Sequence, residues 1–224
     1  MNIEWKEPTE LEILALKIIR AHQPNALEKP QEINILDFVK LACEKFGYEF
    51  KLCQLPKKGN QQALGCLDTK NKKLLLDVNM VCRAGSSNMW TFIAAHELGH
   101  LVLHRQYFED GQSPYDYSDL EGGFPRNNRL EWQANRFASE LLLPRETVKN
   151  VVSLISFHEG ITNNFGKIYI DGKDYNYRFL NKVCNVIANI FKVSNAVAKI
   201  RLTEIGLIIE EQPKESWRRI GDIF

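Results

Sequence analysis

The stretch AAHELGHLVLHR, residues 94–105, contains three of the five histidines of the chain within a mainly apolar sequence. His96 and His100 stand four residues apart, so on an α-helix their side chains point in the same direction to within about 40° and lie one turn apart. Glu97 lies between them. Because burying two imidazoles and a carboxylate without partners is energetically expensive, a shared ligand explains the pattern better than core histidines bonded to the backbone.

The arrangement H-E-x-x-H on a helix is the signature in which two histidines bind zinc and the glutamate acts as a general base. Zinc binds neutral histidine nitrogens at about 2 Å and keeps one position for water in catalytic sites. The Glu97 side chain leaves the helix about 100° around the axis from His96, so we expect it to reach that water rather than the metal. We therefore predict one zinc ion per chain, with His96 and His100 as ligands and Glu97 as the catalytic base.

A third ligand is not expected from the same helix. His104 lies about 12 Å along the axis from His96, which is too far for one tetrahedral ion to join both with His100. An extended motif with a third histidine ten residues after the first would place it at position 106, which is Gln106. We predict a supporting role for His104, as a hydrogen-bonding group below the metal.

The segment RLEWQANRFASELLLP, residues 129–144, is the best source of the third ligand. Glu131 and Asn135 are four residues apart and share one helix face, so we predict that Glu131 binds the metal and Asn135 braces a histidine ring from the outer shell. The alternative is a surface Glu131 that pairs with an arginine. Rival carboxylates are Asp116, Asp119, Glu121 and Glu140.

Composition narrows the class of protein. The 29 Lys and Arg residues balance 28 Asp and Glu residues, so no basic surplus indicates binding to nucleic acid or to an anionic membrane. Five cysteines without a C-x-x-C pair favour reduced thiols. The chain begins without a leader pattern and has no run of about 18 apolar residues. We expect a cytoplasmic protein without membrane association, and the sequence does not indicate its oligomeric state.

Hydrophobic periodicity predicts an α+β fold. Residues 8–22 and 36–46 have the apolar spacing of helices, and the runs YEFKLC, QALGCLD and KKLLLDVN predict a sheet of about three strands before the histidine helix. The polar stretch between residues 107 and 130 predicts a long loop. We expect one domain over residues 1–148, with the sheet packed on the histidine helix.

A second, mainly helical region is predicted over residues 149–224. Asp171-Gly172 in KIYIDGKDYNYRF indicates a hairpin, and NVIANIFKVSNAVAKIRLTEIGLI has the spacing of a helix-turn-helix pair. This pair supports an alternative function, a zinc-containing transcriptional regulator that binds DNA. Because only Lys199 and Arg201 on its second helix are strong phosphate contacts, we do not expect direct DNA binding.

The motifs AAHELGHLVLH and EWQANRFASELLLP, in this order, resemble the ImmA/IrrE family of cytosolic zinc metallopeptidases. The strands in ALGCLDTKNKKLLLDVN and the closing IANIFKVSNAVAKIRLTEIGLI extend the resemblance over about residues 33–208. The resemblance implies a small, zincin-like (gluzincin-like) domain, with His96, His100 and Glu131 as zinc ligands and Glu97 as the base.

The resemblance also implies a substrate class. Members of this family cleave repressors of the Xre helix-turn-helix type, and this regulatory proteolysis releases genes for mobile-element transfer or stress response. The loop at 107–130 and the segment at 166–178 look longer than the family minimum. The particular repressor therefore stays open.

Overall fold

The structure, a computed structural model, describes residues 4–58, 61–79, 88–107, 128–161, 164, 166–171 and 173–210. The helices in these ranges are α1 (Pro8–His22), α2 (Asn25–Glu28), α3 (Ile35–Phe46), α4 (Met89–His104), α5 (Asn128–Leu142), α6 (Arg145–His158), α7 (Asp174–Phe191) and α8 (Asn195–Glu204). The strands are β1 (Glu49–Cys53), β2 (Lys57–Lys58), β3 (Gln61–Gln62), β4 (Gly65–Asp68), β5 (Lys73–Asp77), β6 (Ile168–Ile170) and β7 (Ile208–Glu210). The predicted α+β class is confirmed.

A three-stranded sheet with the order β1-β5-β4 confirms the predicted sheet before the histidine helix. The central strand β5 pairs in parallel with β1 and antiparallel with β4. Leu67 of β4 and Leu74 of β5 are buried in the main core. Among the described strands, β4 forms one edge of this sheet, and its contacts with α4 place it beside the H-E-x-x-H residues.

Helices α4 and α5 pack unusually closely at Gly99. A Cβ atom on Gly99 would lie 3.2 Å from the Cα and carbonyl O atoms of Ala134. Glycine inside a helix costs about 0.5 to 1 kcal/mol relative to alanine, and here this cost permits the close approach of two backbones. The two segments that carry the predicted metal ligands are therefore in direct contact.

The hairpin predicted around Asp171-Gly172 is wrong. Strand β6 pairs in parallel with the distant β7, and α7 begins at Asp174. The Asp171 carboxylate accepts hydrogen bonds from the backbone N–H of Lys173 at 3.2 Å and from the side-chain amide of Asn176 at 2.5 Å. Asp171 thus stabilises the start of a helix rather than a two-residue turn, while Gly172 lies outside the described residues.

Helices α7 and α8 have the local form of a helix-turn-helix pair. The chain direction changes by 107° between them, and the Ser194 hydroxyl accepts a hydrogen bond from the Val197 backbone N–H at 3.2 Å. Lys199 is exposed, but Arg201 is fully buried and bonded to Glu140 of α5. The expectation that Arg201 could contact phosphate is therefore wrong, because its guanidinium faces the protein interior.

The main apolar core includes residues on both sides of position 148, from Leu11 to Ile208. The division into domains 1–148 and 149–224 stays a prediction. Across the described ranges, no single helix has the length and apolar composition needed to cross a membrane.

Candidate metal centre

The structure brings His96 and His100 of α4 together with Glu131 of α5. Their ligand atoms all lie within 4.8 Å of one another, and the two histidine Nε2 atoms are 2.9 Å apart. The Glu131 carboxylate oxygens lie 3.4 Å from His96 Nε2 and 3.6 Å from His100 Nε2. Two ligand atoms of a tetrahedral zinc site, each about 2 Å from the ion, lie about 3.3 Å apart, so these spacings match such a site.

The orientation of His96 is set by Asn135. His96 Nδ1 donates to Asn135 Oδ1 at 2.9 Å, so the Nε2 atom of the neutral ring presents a lone pair to Glu131 and His100. Burial alone would lower the pKa of His96, but the Glu131 and Glu97 carboxylates and the Asn135 amide raise it above its ordinary value. The neighbouring carboxylates therefore favour positive charge at His96 Nε2, whether it is a proton on this atom or a metal cation bound to it.

The orientation of His100 is set by His104. His100 Nδ1 lies 3.0 Å from His104 Nδ1, and His104 Nε2 lies 3.0 Å from the Gln133 side-chain oxygen. Burial is the main cause that lowers the pKa of His100 well below its usual range. Burial also lowers the pKa of His104 to about 4. Both rings are therefore neutral at ordinary pH, as metal binding at His100 requires.

This donor set fits a metal cation. The Nε2 lone pairs of His96 and His100 and both carboxylate oxygens of Glu131 point toward one region. Electron-pair donors at such separations repel one another unless a cation lies among them. Neutral imidazole and carboxylate are the ligands found in catalytic zinc sites with two histidines and one glutamate.

Glu97 lies beside these residues in a buried position. Its Oε2 atom is buried and has no hydrogen-bond partner within the described part of the chain. Burial raises the pKa of the Glu97 carboxyl to about 7, and the Leu67 backbone hydrogen bond and His96 only partly oppose this effect. A carboxylate with a pKa near the operating pH is suited to accept and return a proton.

Strand β4 makes room for this carboxylate at Gly65. A Cβ atom there would lie 2.7 Å from Glu97 Cγ and 2.8 Å from Glu97 Oε1. Any side chain at position 65 would therefore displace Glu97. A glycine inside a strand-forming run indicates a close approach of this kind, but it does not say which residue approaches.

Of the four rival carboxylates, only Glu140 lies in the described part of the chain. Arg136 pairs with Glu140 at 2.8 Å and with Glu204 at 3.4 Å, so Glu140 belongs to a separate ion cluster. The rival loop carboxylates Asp116, Asp119 and Glu121 lie outside the described residues. Sequence reasoning missed Gln133, which is 1% exposed in the structure, because no local pattern distinguishes it from a surface glutamine.

The fold and the site together define a zincin-like α+β protein, in which a helix next to a small sheet carries H-E-x-x-H and a second helix completes a His-His-Glu cluster. The chain matches the peptidase M78 family, described as the IrrE N-terminal-like domain, over residues 83–203. Because this match covers more than half of the chain, the protein belongs to that family, which supports a metallopeptidase role. No curated protein matches the sequence.

Proposed function

We propose that the protein is a zinc-dependent endopeptidase that cleaves a cytoplasmic helix-turn-helix repressor of the Xre type at one or a few sites. The observation that carries this proposal is the convergence of His96, His100 and Glu131 beside the buried carboxylate of Glu97. Membership in a peptidase family supports the same reaction class. The repressor as substrate is supported by the resemblance of the motifs to ImmA/IrrE peptidases.

The three ligands would hold one zinc ion per chain. When bound, zinc supplies Lewis acidity, which polarises a peptide carbonyl and lowers the pKa of the attacking water. Glu97 accepts the proton of this water at its carboxylate and then delivers it to the leaving amine. The proton thus moves from water to Glu97 to the new amino terminus. The remaining hydroxide bonds to the peptide carbonyl carbon, the C–N bond breaks, and the Glu97 carboxylate is regenerated.

Asn135 and His104 have positioning roles in this proposal. The Nδ1 groups of the two ligand histidines are engaged by these residues, at 2.9 Å for Asn135 and 3.0 Å for His104. Such outer-shell hydrogen bonds fix the ring orientation and the tautomer of a metal-binding histidine. Both rings are therefore held with Nε2 toward the metal.

Strand β4 is the expected platform for the substrate. It is an edge strand of the three-stranded sheet, and an extended peptide can join such an edge through main-chain hydrogen bonds. Gly65 of β4 lies against Glu97, so a peptide that joins β4 passes close to the base. This mode of binding requires an extended substrate segment, which favours cleavage in loops or loosened regions rather than in folded domains.

A direct test compares the wild-type protein with the Glu97→Gln variant, which keeps the shape of the side chain but cannot accept the proton. Each is incubated with zinc and with a repressor encoded beside its gene, or with casein, and fragments are identified by mass spectrometry. We expect discrete fragments from the repressor with the wild-type protein, little cleavage of casein, and no fragments with the variant.

Two results would contradict the proposal. Cleavage by Glu97→Gln at the wild-type rate would exclude Glu97 as the base, and casein degradation as fast as repressor cleavage would exclude a specific substrate.

The angle and the Ser194 cap of the α7–α8 pair favour the second candidate, a DNA-binding regulator. Salt-sensitive DNA binding in a gel-shift assay, without cleavage of any candidate, would support that function instead.

A further inference from the structure

A chain of hydrogen bonds connects the metal site with the N-terminal segment of the protein, residues 4–7. It begins at His100, passes through His104 over 3.0 Å, and reaches the Gln133 side-chain oxygen over another 3.0 Å. Gln133 Nε2 then donates to the backbone carbonyl of Glu4 at 2.9 Å. Three consecutive hydrogen bonds thus connect Glu4 with His100, although the two residues are far apart in the sequence.

The Glu4 carbonyl determines which group donates and which accepts in each of these hydrogen bonds. A carbonyl can only accept, so the Gln133 amide nitrogen must face it and the amide oxygen must face His104. That oxygen can only accept, so neutral His104 carries its proton on Nε2 and presents a lone pair at Nδ1. His100 must then carry its proton on Nδ1, which leaves the Nε2 lone pair for the metal.

The N-terminal segment is anchored independently of this chain. The ring of Trp5 stacks on Trp132 with centroids 4.6 Å apart and an angle of 20° between the ring planes. Within the segment, Trp5 Nε1 donates to Glu7 at 2.8 Å, which fixes the ring relative to the start of α1. Nearer the metal site, His104 is fully buried and Gln133 is 1% exposed. Water therefore does not easily replace the bond between His100 and His104 or the bond between His104 and Gln133.

We propose that residues 4–7 are a structural part of the metal site, because the Glu4 carbonyl fixes the amide of Gln133, which through His104 sets the tautomer and ring orientation of His100. Gln133 and His104 are positioning residues, which do not touch the metal. This inference rests on the metal-binding part of the proposed function and not on the identity of the substrate.

The test measures zinc affinity by competition with a chromophoric chelator, on full-length protein. Loss of the hydrogen-bond partner of a metal-binding histidine typically lowers metal affinity about 10- to 100-fold. Gln133 acts one bond further out, through His104, so we expect a loss at the lower end of this range, about 10-fold, for Gln133→Leu. The matched control is Gln23→Leu. Gln23 makes the same two kinds of bond away from the site, because its amide donates to the Glu32 carbonyl at 2.8 Å and accepts from the Asn34 N–H at 3.0 Å. We expect Gln23→Leu to bind zinc as wild type does.

A second variant and a spectroscopic measurement separate positioning from general stability. Trp5→Ala leaves every residue of the hydrogen-bonded chain in place and removes only the stacking contact with Trp132, while α1 still holds the segment against α5, so we expect a smaller loss of zinc affinity. In ¹⁵N-histidine-labelled protein, long-range ¹⁵N–¹H NMR should show His104 with its proton on Nε2 and His100 with its proton on Nδ1. Gln133→Leu should abolish the single tautomer of His104.

The possible results distinguish this inference from the proposed function. Wild-type zinc affinity and an unchanged His104 tautomer in Gln133→Leu would overturn the inference alone. If Gln133→Leu does not fold, wild-type affinity in Trp5→Ala has the same consequence. An equal loss in Gln23→Leu would also overturn it, because the effect would then be general destabilisation. A wild-type protein that binds no zinc would overturn the proposed function and the inference together.

Discussion

Removal of a single ligand side chain is expected to release the metal, because three protein ligands are the usual set of a catalytic zinc site. We predict that His96→Ala and Glu131→Ala lose most of the one zinc ion per chain expected in the purified wild-type protein. The control is His158→Ala, since His158 is exposed at the end of α6. Elemental analysis of the purified variants measures the metal content. Full metal retention by both ligand variants would show that the assignment is wrong.

The buried Glu97 carboxyl predicts a pH dependence of stability in the metal-free protein. Burial raises its pKa from an ordinary 4.5 to about 7. Between these values the folded state retains a proton that the unfolded chain releases, so Glu97 increasingly destabilises the fold as pH rises through this window. Glu97→Gln cannot ionise, and its stability advantage over wild type should be larger at about pH 8 than at about pH 5. Urea unfolding in the presence of a chelator measures the difference; an advantage that does not vary with pH would contradict the buried, raised-pKa environment.

Local spacing decides how much of the site can be predicted from the sequence. His96, Glu97 and His100 lie within one helical turn or so, and Glu131 with Asn135 follows the same rule on α5. Gln133 and its contact with Glu4 could not be predicted in this way, because the two residues are 129 positions apart. The supporting shell depends on tertiary packing, which no local pattern contains.

At the scale of elements, the contact between β4 and α4 predicts the effect of a single methyl group. In Gly65→Ala the new Cβ atom would lie 2.7 Å from Glu97 Cγ, so the carboxylate must move. We expect a strong loss of peptide cleavage with zinc content retained, because the ligands His96, His100 and Glu131 are not displaced directly. Cleavage assays and elemental analysis on the same preparation test this. Normal cleavage by Gly65→Ala would show that the position of Glu97 does not depend on β4.

The elements themselves could be predicted where their periodicity is local. The helix α3 and the three strands of the first sheet follow from apolar spacing, and α3 ends where Gly47 adopts a left-handed conformation at φ 71°. The parallel pair of β6 and β7 could not be predicted, because it joins Ile168 to Ile208 across two helices. The wrong hairpin has the same origin, since Asp-Gly is a turn signal only when its flanking strands pair with each other.

At the scale of the whole molecule, a buried ion cluster connects helix α8 to α5. Arg201 donates to Glu140 at 2.8 Å and to the Leu143 carbonyl at 2.9 Å, and Arg136 shares the same carboxylate. We predict that Arg201→Met lowers the free energy of unfolding by about 3 kcal/mol, because Glu140 is left buried with one partner fewer.

The control for this variant is Lys199→Met on the exposed face of the same helix, which should change stability by less than about 0.5 kcal/mol. Replacing Glu140 by leucine in the Arg201→Met background should restore part of the loss, because the buried carboxylate is then gone and Arg136 keeps Glu204 as a partner. Urea unfolding of the three variants provides the comparison. Equal stability of Arg201→Met and Lys199→Met would show that the cluster contributes nothing measurable.

The inward-facing guanidinium of Arg201 also constrains how this helix pair could evolve. To turn Arg201 outward toward a nucleic-acid backbone, a descendant would first have to neutralise or re-pair Glu140, which is 1% exposed. If only Arg201 turns outward, Glu140 stays buried with one partner fewer. If only the Glu140 charge is removed, Arg201 stays buried without it, so either change alone destabilises the protein. Use of Arg201 as a phosphate contact would therefore need two coupled changes, and selection would oppose the first of them.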